Sequence, residues 1–221
     1  MGTARHNLRV DGARLWSTLM ETAAFGGTPA GGINRLTLSL EDGQVRDWFR
    51  NACEAAGLTV GTDELGTQFA LRPGRDMSRR PIATGSHLDT QPTGGRFDGI
   101  LGTLAGLEMV RTLNDAGIET EAPILLVNWT NEEGSRYAPA TMASAAHVGT
   151  FTVADILARA DADGISVAEA LARLGIVATE PTGSRAIGAF VELHIEQGPI
   201  LEAEQKTIGV VVRASSGSTA R

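Results

Sequence analysis

Three short stretches of the chain concentrate nitrogen and oxygen donors. They are Gly85-Ser86-His87-Leu88-Asp89-Thr90, Asn131-Glu132-Glu133-Gly134 and Glu192-Leu193-His194-Ile195-Glu196-Gln197-Gly198. A fourth, Gly94-Gly95-Arg96-Phe97-Asp98-Gly99, follows closely on the first. Asp89, Asp98, Glu132, Glu133 and Glu196 would repel one another strongly if they met in one crevice. Divalent cations would neutralise that excess, and a set of imidazoles and carboxylates suits Zn²⁺, Mn²⁺, Co²⁺ or Ni²⁺. Without metal, some of these acids should carry raised pKa values. His87 and Asp89 fit an arrangement in which a carboxylate fixes the tautomer of a ligating imidazole. Glu132 and Glu133 can divide labour, one on a metal and the other free as a base. Taken singly, each stretch has a plainer reading: a hydrogen-bonded histidine, a solvated Glu-Glu loop, or a helix N-cap at Asp98-Gly99. His6 and His147 keep that plainer reading. Arg96 and Arg136 are loop arginines within the range of substrate contacts.

The donors need elements to hold them. Leu15, Trp16, Leu19 and Met20 recur at helical spacing, which predicts a helix over 10–24. A second helix follows Ser39, with Asp42 three residues on as in a capping box. Its apolar face is Val45, Trp48, Phe49, Ala52 and Cys53, and Gly57 closes it. Residues 58–60 and 68–71 read as short strands, and 82–84 as a strand ending at Gly85-Ser86-His87. A third helix is predicted over 99–114. The run PILLVNW at 123–129 reads as a strand buried on both faces. Residues 152–160 and 166–174 read as short helices, and 190–195 and 208–212 as strands. Strands alternating with helices predict an α/β layered sheet, and functional groups in such folds gather at the carboxyl ends of strands.

The chain has 221 residues, with 19 Lys plus Arg against 26 Asp plus Glu, a formal charge of −7. An acidic balance without a basic run argues against nucleic acid or an anionic membrane surface as partner. No apolar stretch reaches the ~20 residues of a spanning helix, and the first ten residues lack a leader's apolar core. The single cysteine, Cys53, excludes an intramolecular disulfide and a Cys-rich zinc site, and points to a reducing, cytoplasmic location.

Read jointly, the stretches resemble the M20 peptidase-like superfamily, and within it the amidases of hydantoinase/carbamoylase type. That branch includes N-carbamoyl-L-amino-acid hydrolase, β-ureidopropionase and allantoate amidohydrolase. The residues that carry the resemblance are TPAGGINRLTLS (28–39), GSHLDTQPTGGRFDGILGTLAGLE (85–108), NEEGSRY (131–137) and ELHIEQGPILE (192–202). Several long motifs in one order are far more specific than a single short one. The resemblance implies a mixed sheet sandwiched by helices, as in the catalytic domain of zinc exopeptidases. It implies two divalent ions. His87 and His194 would bind one, Asp98 would bridge both, and Glu133 would hold the other. Glu132 would be the general base, Asp89 would orient His87, and Gln197 would meet the substrate. The implied reaction is hydrolysis of the C–N bond of an N-carbamoyl amino acid or related ureido compound. An aminoacylase or peptidase of the same superfamily is a further reading, disfavoured by the two histidine ligands.

The resemblance also implies a chain of roughly twice this length, with a second, lid and dimerisation domain. On this reading residues 1–212 are the N-terminal part of the catalytic domain. The stretch RASSGSTAR (213–221) departs from the family and is expected to be unstructured. The sheet would be incomplete and the lid absent. The family forms homodimers through that lid. The second site's histidine would lie beyond the chain, leaving one complete ion site. That yields the alternative of a catalytically incomplete fragment that binds a single metal.

Overall fold

A computed structural model describes residues 8–211; His6 and the stretch 213–221 lie outside the described residues. Among the described residues five strands form one mixed sheet in the order β1-β2-β4-β3-β5. They are β1 (Thr59–Thr62), β2 (Gln68–Arg72), β3 (Ile82–His87), β4 (Ile124–Trp129) and β5 (Ala189–Val191). β1 and β2 pair antiparallel, as do β2 and β4. β3 runs parallel to both β4 and β5, so the three carboxyl ends open on the same rim. Every residue of β4 is buried, which is why its sequence lacks polar alternation.

Helices cover both faces. On one side lie α1 (Gly12–Thr22), α2 (Leu40–Ala55) and α3 (Ile100–Asp115). Their Leu19, Val45, Phe49, Leu104 and Leu107 pack with Ala70 and Leu126 of the sheet. On the other lie α4 (Met142–His147), α5 (Val153–Leu157) and α6 (Val167–Arg173). There Met142, Ile156, Val167 and Leu171 pack with Phe69, Leu125 and Val127. A short α7 (Ile200–Ala203) buries no residue. Among the described residues no helix is long and apolar enough to cross a membrane.

Several boundaries differ from the sequence reading. β3 continues through Gly85 to His87 because its backbone stays paired with β4 as far as Trp129. The strand expected over 190–195 stops at Val191, and residues 208–211 form no strand; residue 212 lies outside the described residues. Ile208, Val210 and Val211 are exposed, so their apolar pattern finds no sheet to join. α4 has too few residues to show a helical period and was not expected. Ser39 caps α2 through the Asp42 amide, but the Asp42 carboxylate reaches Leu38 N at 2.7 Å rather than Ser39 N. The reciprocal capping box forms instead at Ser166 and Glu169 of α6.

Two buried arginines fasten the loops beneath the rim. Arg35 donates from Nε to the Leu88 carbonyl and from its terminal nitrogen to the carbonyls of Thr22 and Phe25. Arg46 bonds the Asp42 carboxylate, the Gly66 carbonyl and the Thr130 hydroxyl, joining α2 to the end of β4. On the outer side, the Glu108 carboxylate accepts from Arg14, Asp11 N and Thr112, holding α1 on α3. Burial pushes the Glu108 carboxyl up, yet these partners outweigh it and hold it below its ordinary value of 4.5. A depressed carboxyl stabilises the fold above its unfolded pKa and loses that contribution as pH falls through the folded one. Glu108→Gln should therefore cost about 1 kcal/mol of unfolding free energy at pH 7. The gap should shrink as pH drops below 4.5. Urea unfolding across that window measures it; a constant gap would contradict the assignment.

Candidate metal centre

The rim of β3, β4 and β5 gathers the donors. His87 is the last residue of β3 and is buried. Its Nδ1 lies 2.9 Å from the Asp89 carbonyl, so Nδ1 carries the proton and donates. In the neutral ring that leaves Nε2 as a lone-pair donor facing the rim. His194 repeats the device on the segment after β5, with Nδ1 bonded to the Ile195 carbonyl at 2.9 Å. Its Nε2 lies 3.5 Å from Asp98 Oδ1. The ligand atoms of His87, Asp98 and His194 all fall within 4.8 Å of one another. The two rings sit 5.9 Å apart, centroid to centroid.

The sequence reading gave the Asp89 carboxylate the task of orienting His87. The atom that meets Nδ1 is the Asp89 backbone oxygen; the nearer carboxylate oxygen is 3.8 Å away. The carboxylate instead accepts the amides of Glu132 and Glu133, each at 3.3 Å. Asp89 thus ties the end of β3 to the loop after β4. Burial lifts its carboxyl to about 6, against the opposing pull of His87. Burial likewise works against a charged His87, but Asp89, Glu132 and Glu133 outweigh it and hold the imidazole above its ordinary 6.5. The Glu133 carboxyl is raised by burial, with Asp98 and Glu132 adding to the effect against Gln91 and His87. Burial is the first cause of both raised carboxyls, and only at Glu133 do other rim acids add to it.

Glu132 and Glu133 point into the same crevice from a turn shaped by Asn131. Asn131 adopts a left-handed φ of 56° and donates from its side chain to the carbonyls of Tyr137 and Pro139. Glu132 Oε2 is 3.4 Å from His87 Nε2. Glu133 Oε2 accepts from Gln91 at 3.1 Å. Gln197, expected to meet a substrate, donates to Asp98 Oδ2 at 2.7 Å. His87, Gln91, Asp98, Glu132, Glu133, Ala140, His194 and Gln197 line a cavity of about 270 Å³.

Two buried carboxylate oxygens in this cavity have no hydrogen-bond partner, Asp98 Oδ1 and Glu133 Oε1. An unpaired buried carboxylate oxygen is costly, and a divalent ion would satisfy it. The donor set therefore fits a divalent metal. Other polar side chains take the plainer readings. His147 packs between Phe69 and Trp129, and Cys53 is fully buried in the α1–α3 core. Arg136 is taken up by Asp161 and the carbonyls of Thr37 and Leu38. Arg96 bonds the Gly31 carbonyl. The Glu196 carboxylate caps the start of α7 through the amides of Ile200 and Leu201 and does not line the cavity.

Gly99 has a role that spacing alone did not reveal. It caps α3 with φ of 64°, and a Cβ there would sit 2.3 Å from the His87 ring. Only glycine leaves the ring in place. Gly99→Ala should fold with a cost of about 1–3 kcal/mol from the backbone alone. It should also weaken Zn²⁺ binding at least about tenfold by displacing His87. Isothermal titration against the parent chain measures this; unchanged affinity would show that the ring has another way out.

The family described as peptidase family M20/M25/M40 matches residues 83–216. The N-carbamoyl-L-amino-acid amidohydrolase of Rhizobium meliloti is 53% identical over 211 residues, which are 96% of this chain and 51% of that protein. The enzyme of the same name from Geobacillus stearothermophilus is 39% identical over 91% of this chain and 50% of its own length. The crystal structure of an amidase of the hydantoinase/carbamoylase family from Burkholderia multivorans superposes with a TM-score of 0.90. It is 54% identical, covering 91% of this chain and 49% of its own. The chain spans about half the length of the curated relatives it matches. It belongs to peptidase family M20/M25/M40, on the side of that family occupied by the hydantoinase/carbamoylase amidases.

Proposed function

We propose that the chain is the metal-holding N-terminal part of an amidohydrolase that cleaves the C–N bond of N-carbamoyl-L-amino acids or related ureido compounds. One observation carries the reading: two imidazoles present Nε2 beside an unpartnered buried carboxylate oxygen, in a chain similar to N-carbamoyl-L-amino-acid amidohydrolases. His87, Asp98 and His194 would hold one divalent ion. Asp98 and Glu133 would contribute to a second, and Zn²⁺, Mn²⁺, Co²⁺ or Ni²⁺ suits the donors. When bound, such ions lower the pKa of water and polarise a carbonyl.

The remaining work falls to the chain's own groups. Glu132 is bonded through its backbone amide to Asp89, so its carboxylate is held beside His87 Nε2. It would take a proton from the attacking water and return one to the departing nitrogen. Asp89 would fix both that base and the His87 tautomer. Gln197 offers an amide beside the same donors for a substrate contact. One molecule of N-carbamoyl amino acid and one of water would give the amino acid, ammonia and carbon dioxide.

A specific observation favours a second reading, a fragment that binds one ion. Glu133 is outside the close three-donor group formed by His87, Asp98 and His194. The test is hydrolysis of N-carbamoyl-L-amino acids by the 221-residue chain with Mn²⁺ or Zn²⁺ added and bound metal counted. The expected result is turnover abolished by chelator and reduced at least about 100-fold in Glu132→Gln. One ion without turnover would support the fragment reading. No ion and no turnover would overturn both.

A further inference from the structure

β5 meets β3 over three residue pairs only, Ile82 with Ala189, Ala83 with Phe190 and Thr84 with Val191. Continued by three steps, that register would bring His87 opposite His194. The ladder nevertheless ends at Val191, while β3 goes on pairing with β4 up to His87. Something other than backbone pairing must keep His194 across from His87. Beyond the last pair, the Ser86 hydroxyl donates to the Glu192 carboxylate. Ser86 is buried within β3 and immediately precedes one metal-ligating candidate; Glu192 lies two residues before the other.

A second contact shapes the same segment. The Leu193 carbonyl lies so close to the first turn of α3 that a Cβ on Gly102 would sit 2.4 Å from it. The same Cβ would lie 3.1 Å from Ser86 Cβ. Glu192 is therefore gripped from the strand, and the next residue rests against the helix. We infer that Ser86 and Glu192 are a positioning pair, whose hydrogen bond replaces the missing strand pairing and sets His194 opposite His87 and Asp98. The inference rests on the proposed metal centre for its consequence, but the tether itself does not. A carboxylate accepting from a hydroxyl gives a short, charge-assisted bond, well suited to fixing one point on an otherwise exposed segment.

The test uses the full chain and the variants Ser86→Ala, Glu192→Ala, the double variant and Glu192→Gln, with Thr179→Val as a control. Thr179 hydrogen-bonds Thr62 at the far edge of the sheet, so its loss lowers stability without touching the segment. Two quantities are read: Zn²⁺ affinity by chelator competition, and deuterium exchange of the 192–195 amides in metal-free protein. Each single alanine variant should lose about tenfold in Zn²⁺ affinity, as for other groups that orient metal ligands. The double variant should lose no more than either single one. Glu192→Gln, whose amide oxygen still accepts, should recover most of the loss. Exchange at 192–195 should rise in the alanine variants and not in the control. Unchanged exchange and affinity in the single variants would overturn the inference, as would losses that add in the double variant. If the parent chain binds no Zn²⁺, the metal centre falls, and exchange alone decides whether the pair holds the segment.

Discussion

The candidate site depends first on Asp89. Its carbonyl accepts the His87 Nδ1 proton, and its carboxylate spans the amides of Glu132 and Glu133. One residue thereby ties the His87 ring to the loop that carries Glu132 and Glu133. Hydrogen bonds to a charged acceptor are worth about 1.5–3 kcal/mol each, and an unpartnered buried carboxylate costs at least as much. The balance at Asp89 is incomplete, since burial still lifts its carboxyl to about 6. The buried Arg46 and Asp42 act on it in opposite senses, the first lowering and the second raising it. The residue is held by geometry more than by charge compensation. Position is what a tautomer-fixing group must supply.

The same crowding explains why the rim reads as a metal centre and not as a polar core. A core of comparable polarity exists nearby. Arg46, Gln68, Asn128 and Thr130 form a buried chain of bonds in which Arg46 finds three acceptors. Asp42 Oδ1 and Asn128 Oδ1 are unpartnered there, as Asp98 Oδ1 and Glu133 Oε1 are at the rim, but the rim's two carboxylates line one cavity together with His87 and His194. The sequence had donors available for pairing, because Arg96 and Arg136 are close in the chain. Arg96 is spent on the Gly31 carbonyl, and Arg136 on Asp161 and the carbonyls of Thr37 and Leu38. Acids left unpaired beside two imidazoles would be satisfied by a cation that the polypeptide does not itself provide.

Legibility in the sequence followed physical cause. The apolar run of β4 and the helical period of α2 and α3 were plain because burial on one or two faces imposes them. The donors at His87, Asp98, Glu132, Glu133 and His194 were found because their residue types are chemically distinctive, and the structure brings them to one cavity. What escaped were relations between backbone atoms. That the Asp89 carbonyl, rather than its carboxylate, meets His87 has no signature in residue type. Gly99 reads as an ordinary turn until the His87 ring is seen against it. Asn131 carried a faint signal, since asparagine tolerates the left-handed conformation that the turn needs. The strand at 190–195 was overextended because its alternation continues past the point where backbone pairing with β3 ends.

The site is also built unequally. His87, Asp98 and Asp89 are at most 9% exposed and rest on β3 and the start of α3. His194 stands on a segment whose Val191, Leu193 and Ile200 are 63%, 43% and 62% exposed. An ion shared by His87, Asp98 and His194 would join the two sides. Any ligand that binds the folded arrangement and not the unfolded chain stabilises that arrangement in proportion to its affinity and concentration. Here most of that stabilisation would fall on the β5 side, because the β3 side is already fixed by two faces of packing. Metal binding and the ordering of the 192–198 stretch are then two descriptions of one equilibrium. A donor placed on a lightly anchored strand end makes the centre's affinity depend on whatever holds that strand. For this fold, whatever holds the stretch after Val191 would be as much a part of a metal centre as the His194 imidazole on it.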